Sequence, residues 1–135
     1  WSILEICAHL LDEEREDFRP RLAGTLRDPA APWPALDLEN VAERRGYNAR
    51  DLRATVEEFA RERGASVAFL RGLASPDFSR AYAHPKFGPI AAGDLLASWA
   101  AHDALHLRQI AKRLHGLAGR DAGGFKIAYA GDWTA

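Results

Sequence analysis

The sequence is short of several residue types, and each shortage argues against a class of protein. It has no methionine and one cysteine, Cys7, among its 135 residues. A single cysteine cannot form an internal disulfide, so we expect a cytoplasmic protein rather than a disulfide-rich secreted domain. No run approaches the roughly 20 apolar residues of a membrane-spanning helix. The first residues also lack the order of a signal peptide, basic and then apolar. We therefore expect no membrane partner.

An excess of positive charge is also missing. Lys and Arg total 18 against 19 Asp and Glu, a formal net charge of -1. Proteins that bind nucleic acids usually carry a basic patch or stripe, because the phosphate backbone supplies much of their affinity. The charge balance therefore predicts no nucleic-acid partner.

The length predicts one domain, residues 1–135, because a chain of this size buries a single core without disulfides or metals to stabilise it. The chain opens on Trp1 and enters directly into helical periodicity at SILEICAHLL. Together with the lack of methionine, this start leads us to expect that the true N-terminus is missing.

The first helix has a recognisable N-terminus. Ser2 and Glu5 are spaced for a capping box, in which each side chain accepts a hydrogen bond from the other residue's backbone N–H. Helical spacing places Glu14 on the apolar side of this helix, whereas His9 lies off that side in an acidic neighbourhood. We expect the helix to run to about Phe18 or Pro20.

Two more helices are predicted after the proline-rich connection at residues 27–35. In LDLENVAERRG, Asp37 is a possible N-cap and Gly46 follows the end of a short helix. Asn48 is a possible N-cap for a longer helix that reaches about residue 72.

The C-terminal half is predicted to hold an ordered loop, one long helix and a tail. Residues 74–93 combine prolines and glycines with aromatic side chains that need packing partners, which indicates an ordered loop. The last helix should span residues 92–117. We expect an extended tail docked by Phe125, Tyr129 or Trp133.

Two histidines of the last helix, in HDALHLRQI, are the first candidate functional residues. At 100° per residue, His102 and His106 lie on the inward side that also carries Trp99 and Ile110. Their i, i+4 spacing places the Cβ atoms roughly 6 Å apart, so both rings can reach one metal ion. The alternative is that each ring bonds a carbonyl or carboxylate in the core.

A third ligand must come from elsewhere in the chain, and His9 is the best candidate because it lies at the edge of an apolar helix face. Its own alternative is an exposed surface histidine. His115 is about 180° from His106 on the same helix and should be solvated. His84 precedes a proline, and a packing or capping role in the loop is expected for it.

Two segments in the same order resemble the DinB-like family of helical bundles. They are WSILEICAHLLDEE and HPKFGPIAAGDLLASWAAHDALHLRQI. The resemblance implies an all-α fold, an antiparallel up-down four-helix bundle whose first helix precedes Trp1 and is absent here. It also implies a metal site of three histidines, which fall on His9, His102 and His106. Ala91 stands where the family often has Thr, so the last helix lacks a preferred N-cap.

The same resemblance implies a metal-dependent enzyme that acts on a small molecule, as a thiol S-transferase or a hydrolase. Three neutral imidazoles leave a divalent ion with open coordination positions, which is typical of catalytic sites. Zinc and nickel are the first choices for the metal and iron is a further one, since imidazole suits all three. A small bacterial thiol as cofactor and a homodimer are expected by analogy with the family. The alternative function is a non-catalytic bundle that acts through dimerisation or partner binding.

Three residues near the candidate ligands have two interpretations each. Asp103 either orients a ligand imidazole or pairs with an arginine. Glu13, one turn after His9, either holds that ring or is solvated. Trp99 is expected in the core, with the wall of a substrate pocket as the second interpretation.

Overall fold

A computed structural model describes residues 1–36 and 39–133. Helices dominate it, and the predicted all-α class is confirmed, with one small hairpin added. The elements are α1 (Ile3–Asp12), a π-helical segment (Glu13–Asp17), α2 (Phe18–Arg27), α3 (Val41–Arg44), a 3₁₀ turn (Tyr47–Ala49), α4 (Leu52–Arg71), β1 (Ala81–His84), β2 (Gly88–Ala91), α5 (Ala92–Asp121) and a second 3₁₀ turn (Ala128–Ala130). Among the described residues, no helix has both the length and the apolar character to cross a bilayer.

The predicted capping box at the start of α1 is present. Ser2 Oγ accepts from the Glu5 N–H at 3.1 Å, and Glu5 Oε2 accepts from the Ser2 N–H at 2.6 Å. The expected end near Phe18 or Pro20 is wrong, because the helical path continues to Arg27. Proline has no N–H and its ring crowds the carbonyl four residues earlier. Here a π turn precedes Pro20, in which the Phe18 N–H donates to Glu13 O, and the helix continues past the proline.

The connection from α2 to α4 is mostly irregular and contains the short helix α3. Gly46 follows α3 with φ +58°, a left-handed conformation in which glycine is favoured, as predicted. Asp37, the predicted cap, lies outside the described residues. The cap of α4 is Asp51, whose side chain accepts from the Ala54 N–H at 2.8 Å, and the prediction of Asn48 is wrong.

This connection lets α4 run in the same direction as α1 and α2. Arg15 Nε donates to Glu62 Oε1 at 2.9 Å, and Arg19 Nη1 donates to Ser66 Oγ at 3.3 Å, so positions increase together along both paths. In contrast, α5 is antiparallel to them. The up-down order implied by the resemblance would make consecutive long helices antiparallel, so it is wrong for α4. The long connection returns the chain to the same end of the bundle before α4 begins.

Residues 74–93, predicted as an ordered loop, contain an antiparallel hairpin in which Tyr82 pairs with Ile90. His84 Nδ1 accepts from the Lys86 N–H at 3.1 Å and the Phe87 N–H at 3.2 Å, so the predicted capping role of His84 closes the hairpin turn. The Trp33 ring stacks on Tyr82 with centroids 4.4 Å apart. The aromatic side chains therefore have the packing partners that the sequence required.

The residues just before β1, together with Asp94, cap α5 in place of the missing threonine. The Ala92 N–H donates to Arg80 O at 2.8 Å, and the Gly93 N–H donates to Phe78 O at 3.0 Å. Asp94 Oδ2 accepts from the Ala91 N–H at 2.9 Å. Three backbone donors at the start of the helix are thus satisfied without a polar side chain at position 91.

The main core lies where α2 packs on the first half of α5. Its buried members are Phe18, Leu22, Ala92, Leu95 and Trp99. On α4, by contrast, Leu52 and Val56 are about half exposed, and the buried positions are Thr55 and Ser66. On α5, Leu107 and Leu114 are 64% and 54% exposed. We call Leu52, Val56, Leu107 and Leu114 the exposed apolar face.

The last helix and the tail differ from expectation in extent. The helix α5 continues to Asp121 rather than 117. Phe125 and Tyr129 are exposed, so only Trp133 of the three predicted anchors packs on the fold. Its ring lies 5.8 Å from that of His115, which is half-buried rather than solvated.

Candidate metal centre

Three histidine side chains converge between α1 and α5. His9 comes from α1, and His102 and His106 come from successive turns of α5. The Nε2 atom of His102 lies 3.3 Å from Nε2 of His9 and 3.1 Å from Nε2 of His106. All three ligand atoms lie within 4.8 Å of one another. The three histidines predicted as a group are therefore brought together, whereas His84 and His115 lie elsewhere.

Polar side chains lie next to the Nδ1 atoms of His106 and His9, and one of them is a hydrogen-bond partner. His106 Nδ1 lies 2.9 Å from Gln109 Oε1. An amide oxygen only accepts, so the Nδ1 of His106 carries the proton and its Nε2 presents a lone pair. His9 Nδ1 faces Glu13 Oε1 at 3.6 Å. Glu13 is buried, so the expectation that it is solvated is wrong, and at 3.6 Å its carboxyl is too far from His9 Nδ1 for a hydrogen bond.

The three Nε2 atoms, which face one another, cannot all be paired by hydrogen bonds among themselves. Nε2 of His106 carries a lone pair and no proton. A hydrogen bond between it and His102 therefore requires that Nε2 of His102 donate. The same atom then cannot accept from His9, so at most one of the two contacts is a hydrogen bond. Nδ1 of His102 is also buried and has no partner among the described residues. The arrangement leaves lone pairs facing one another, which a cation between them relieves.

The separations fit a shared metal ion. Imidazole nitrogens bind zinc at about 2.0–2.1 Å, which places two ligands of a tetrahedral site about 3.3–3.4 Å apart. The two measured separations are 3.3 and 3.1 Å. The donor set and its spacing are thus compatible with a divalent ion.

Burial keeps the three rings neutral, which is the form that binds metal. Desolvation is the main cause that lowers the pKa of His9 to about 4, and the nearby His106 and His102 add to it. Desolvation also lowers the pKa of His102 and of His106. Nearby, burial raises the pKa of the Glu13 carboxyl to about 8, with the Asp17 carboxylate adding to the effect.

Comparison with known families identifies the chain. The DinB superfamily matches residues 1–110, a span that includes all three histidines. The chain belongs to the DinB superfamily. No curated protein gives a significant match.

A buried ionic network lies next to the histidines of this DinB chain, and sequence reasoning missed it. Glu14 has no exposed surface and accepts from Trp99 Nε1 at 2.9 Å, from Arg63 Nε at 2.7 Å and from Ser66 Oγ. Arg63 also donates to Asp103, through Nη2 at 2.9 Å. Asp103 therefore pairs with an arginine, the second of its two predicted interpretations. The available signal was the position of Glu14, a carboxylate on the apolar side of its helix.

Trp99 lies in the core, as expected, and its role in a substrate pocket stays a prediction. Its side chain is 5% exposed and stacks on Phe18 with centroids 5.6 Å apart, so it is part of the core. It also lines a hollow of about 160 Å³ between α4 and α5. This hollow lies beside the Glu14 network, where the lining Arg63 and Asp103 are already paired with each other.

A groove adjoins the histidines of the DinB chain on the other side of α5. The Trp1 ring lies edge-on to His9 with centroids 4.9 Å apart and parallel to His106 at 6.4 Å. The groove has a volume of about 250 Å³ and is lined by Trp1, Ile6, Gln109, Lys112 and Arg113. Gln109 thus contacts a candidate ligand and also lines the groove. The only sequence feature that points to Gln109 is its position three residues after His106.

Proposed function

We propose that His9, His102 and His106 hold a divalent metal ion and that the chain is a metal-dependent enzyme acting on a small molecule. The observation that carries this proposal is the convergence of three Nε2 atoms that cannot satisfy one another by hydrogen bonds. A transferase that uses a thiol and a hydrolase are the two reaction classes. Membership of the DinB superfamily is compatible with metal binding.

Three histidine ligands leave room for a substrate beside the ion. When bound, a divalent ion supplies Lewis acidity and lowers the pKa of a water or a thiol. Imidazole donors suit zinc and nickel, the metals we propose first, and iron as a further choice. A small bacterial thiol is the proposed cofactor of the transferase reaction.

The neighbouring residues have positioning roles in this proposal. Gln109 fixes the ring orientation and tautomer of His106, which is what partners of ligand histidines do in metal sites. Phe18 limits access of water from the core side, because its ring lies 5.2 Å from that of His102. We propose that a substrate approaches from the side of Trp1, where the groove of about 250 Å³ lies next to the rings of His9 and His106.

Metal analysis tests the proposal directly. We expect purified protein prepared without chelator to bind about one zinc or nickel ion per chain, measured by elemental analysis and by calorimetric titration. Replacing His9, His102 or His106 by Ala should each abolish this binding. His115→Ala is the matched control, because His115 is on α5 but contacts Trp133, and it should leave the stoichiometry unchanged. Protein that binds no divalent ion, or triple-alanine protein that still binds one, contradicts the proposal.

A second candidate function is a non-catalytic bundle that acts through dimerisation. The exposed apolar face favours it, because its four side chains leave apolar surface of α4 and α5 in water. We propose a homodimer in either case, and light scattering of Leu107→Glu against the unchanged protein tests it. A monomer in both proteins would refute the dimer.

A cytoplasmic location and the lack of a nucleic-acid partner stay predictions from Cys7 and the charge balance.

A further inference from the structure

The groove beside the metal centre continues outward along α5. Beyond Gln109 it opens into a hollow of about 500 Å³ that shares Lys112 and Arg113 with the inner part. The outer hollow is lined by Ser2, Ile3, Lys112, Arg113, Gly116 and Leu117. We call the two parts together the α5 groove. It runs from Trp1 and Gln109, which both lie against His106, to the start of α1.

The α5 groove carries positive charge that no lining residue neutralises. Its lining includes Lys112 and Arg113 and no carboxylate. The nearby Glu5 is committed to the capping box, where it accepts from the Ser2 N–H. Within the described part of the chain, Lys112 has no ion-pair partner.

Arg113 is held in place with its outer donors free. Its Nε donates to Trp1 O at 2.8 Å, which fixes the guanidinium at the edge of the groove. The two terminal nitrogens have no hydrogen-bond partner among the described residues. A guanidinium presented in this way matches the two oxygens of a carboxylate or phosphate.

Spacing and lining define the kind of molecule that fits. An α-helix rises 1.5 Å per residue, so Arg113 lies roughly 10 Å along α5 from His106. Between the two, Trp1 and Ile6 give the groove an apolar wall. A molecule that reaches both ends has an apolar middle and an anionic group roughly 10 Å from its reacting atom.

We propose that Lys112 and Arg113 bind the anionic group of the substrate and thereby select small acids with an apolar segment. This inference rests on the proposed function, because the reacting end of the molecule lies at the three histidines. A carboxylate and a phosphate monoester share the recognised chemistry. They are distinguished below by separate probes.

Matched thiols test the proposal on the zinc-loaded protein. The probes are mercaptooctanoic acid, mercaptooctanol and mercaptooctyl phosphate, which have the same chain and thiol but different ends. We expect calorimetry to show that one of the two anionic probes binds about tenfold more tightly than the alcohol, since hydrogen bonds to charged groups are the stronger class. Whichever anion binds more tightly identifies the natural end group.

Substitutions in the groove should remove this preference. Lys112→Gln with Arg113→Gln should weaken binding of the anionic probes to the level of the alcohol and leave the alcohol unchanged. Arg108→Gln is the matched control, because Arg108 is an exposed cation of α5 that lines neither part of the groove. It should keep the full preference. If loss of the contact with Trp1 unfolds the double variant, the single variant Lys112→Gln is measured instead. It should reduce the preference for the anionic probes over the alcohol at least in part.

The outcomes separate this inference from the metal proposal. Bound zinc together with equal affinity for all three probes overturns the anion site and leaves the metal centre intact. An anion preference that survives the substitutions also overturns it, as does bound zinc with no probe binding. Failure to bind any divalent ion refutes the proposed function, and the substrate inference with it.

Discussion

His106 donates its Nδ1–H to Gln109 Oε1 across 2.9 Å, within one turn of α5. This bond decides which nitrogen of His106 faces the other two histidines. It also connects the candidate metal centre to the α5 groove, since the same glutamine lines both.

Loss of the Gln109 acceptor should weaken metal binding without unfolding the protein. Partners of ligand histidines typically contribute 10–100-fold to metal affinity, so we expect Gln109→Leu to raise the zinc Kd by about that factor. Gln109→Glu keeps an acceptor and should restore most of the affinity. The measurement is zinc titration with a competing chelator, alongside thermal unfolding. An unchanged Kd in Gln109→Leu would show that the ring orientation of His106 is fixed by other contacts.

Replacement of Glu14 should be the most destabilising single change among those considered. A buried donor left without an acceptor costs about 1–3 kcal/mol. Arg63 keeps its pairing with Asp103, so the loss should come mainly from the buried donors of Trp99 and Ser66. Glu14→Ala leaves Arg63, Trp99 and Ser66 without their shared acceptor. Urea denaturation measures the loss. The control is Glu57→Ala, because Glu57 only faces the exposed Arg53 at 4.0 Å, and it should change stability by less than about 0.5 kcal/mol.

The Glu62 carboxylate should make stability depend on pH in the acid range. Hydrogen bonds from Arg19 and then Arg15 lower the pKa of Glu62. A pKa lowered by folding stabilises the native state above the pKa of the unfolded chain, and this stabilisation is lost as pH falls through the folded pKa. The difference in unfolding free energy between the natural protein and Glu62→Gln should therefore be present at neutral pH and shrink below about pH 4. A difference that stays constant with pH would contradict this assignment.

Two glycine substitutions should change the free energy of unfolding in opposite directions. Gly46 has φ +58° with open space around it, so Gly46→Ala meets only backbone strain, about 1–2 kcal/mol. Gly64 lies inside α4, also with open space, and Gly64→Ala should stabilise the protein by up to about 1 kcal/mol. Thermal unfolding of both variants checks the pair. A stabilising Gly46→Ala would mean that the turn adopts another conformation.

The sequence predicted features that depend on local spacing. The capping box of Ser2 and Glu5 is present, and so is the start of α5 at Ala92. The group of His9, His102 and His106 combines two ligands given by the i, i+4 spacing with one that the family resemblance supported. Each of these follows from residues close in sequence or from a recognised pattern.

Features that depend on distant partners were not predictable in the same way. The role of Glu14 requires Arg63 and Trp99, which are brought to it by two other helices. Asp51 rather than Asn48 caps α4, since both residue types are acceptable caps and tertiary contacts decide between them. Asn48 accepts from Ser2 Oγ at 2.6 Å, a contact across the fold.

The π-helical segment Glu13–Asp17 changes the rotational phase of the long N-terminal rod. In an uninterrupted α-helix, nine residues turn about 180°, which would place His9 and Phe18 on opposite sides. Here both rings lie near that of His102, at 5.3 and 5.2 Å. One wide turn thus allows α1 to contribute His9 to the candidate metal centre while α2 packs its core residues on the same helix, α5. The segment therefore sets the rotation of α1 relative to α2. Deleting a single residue from it should turn either the His9 ring or the Phe18 ring away from His102.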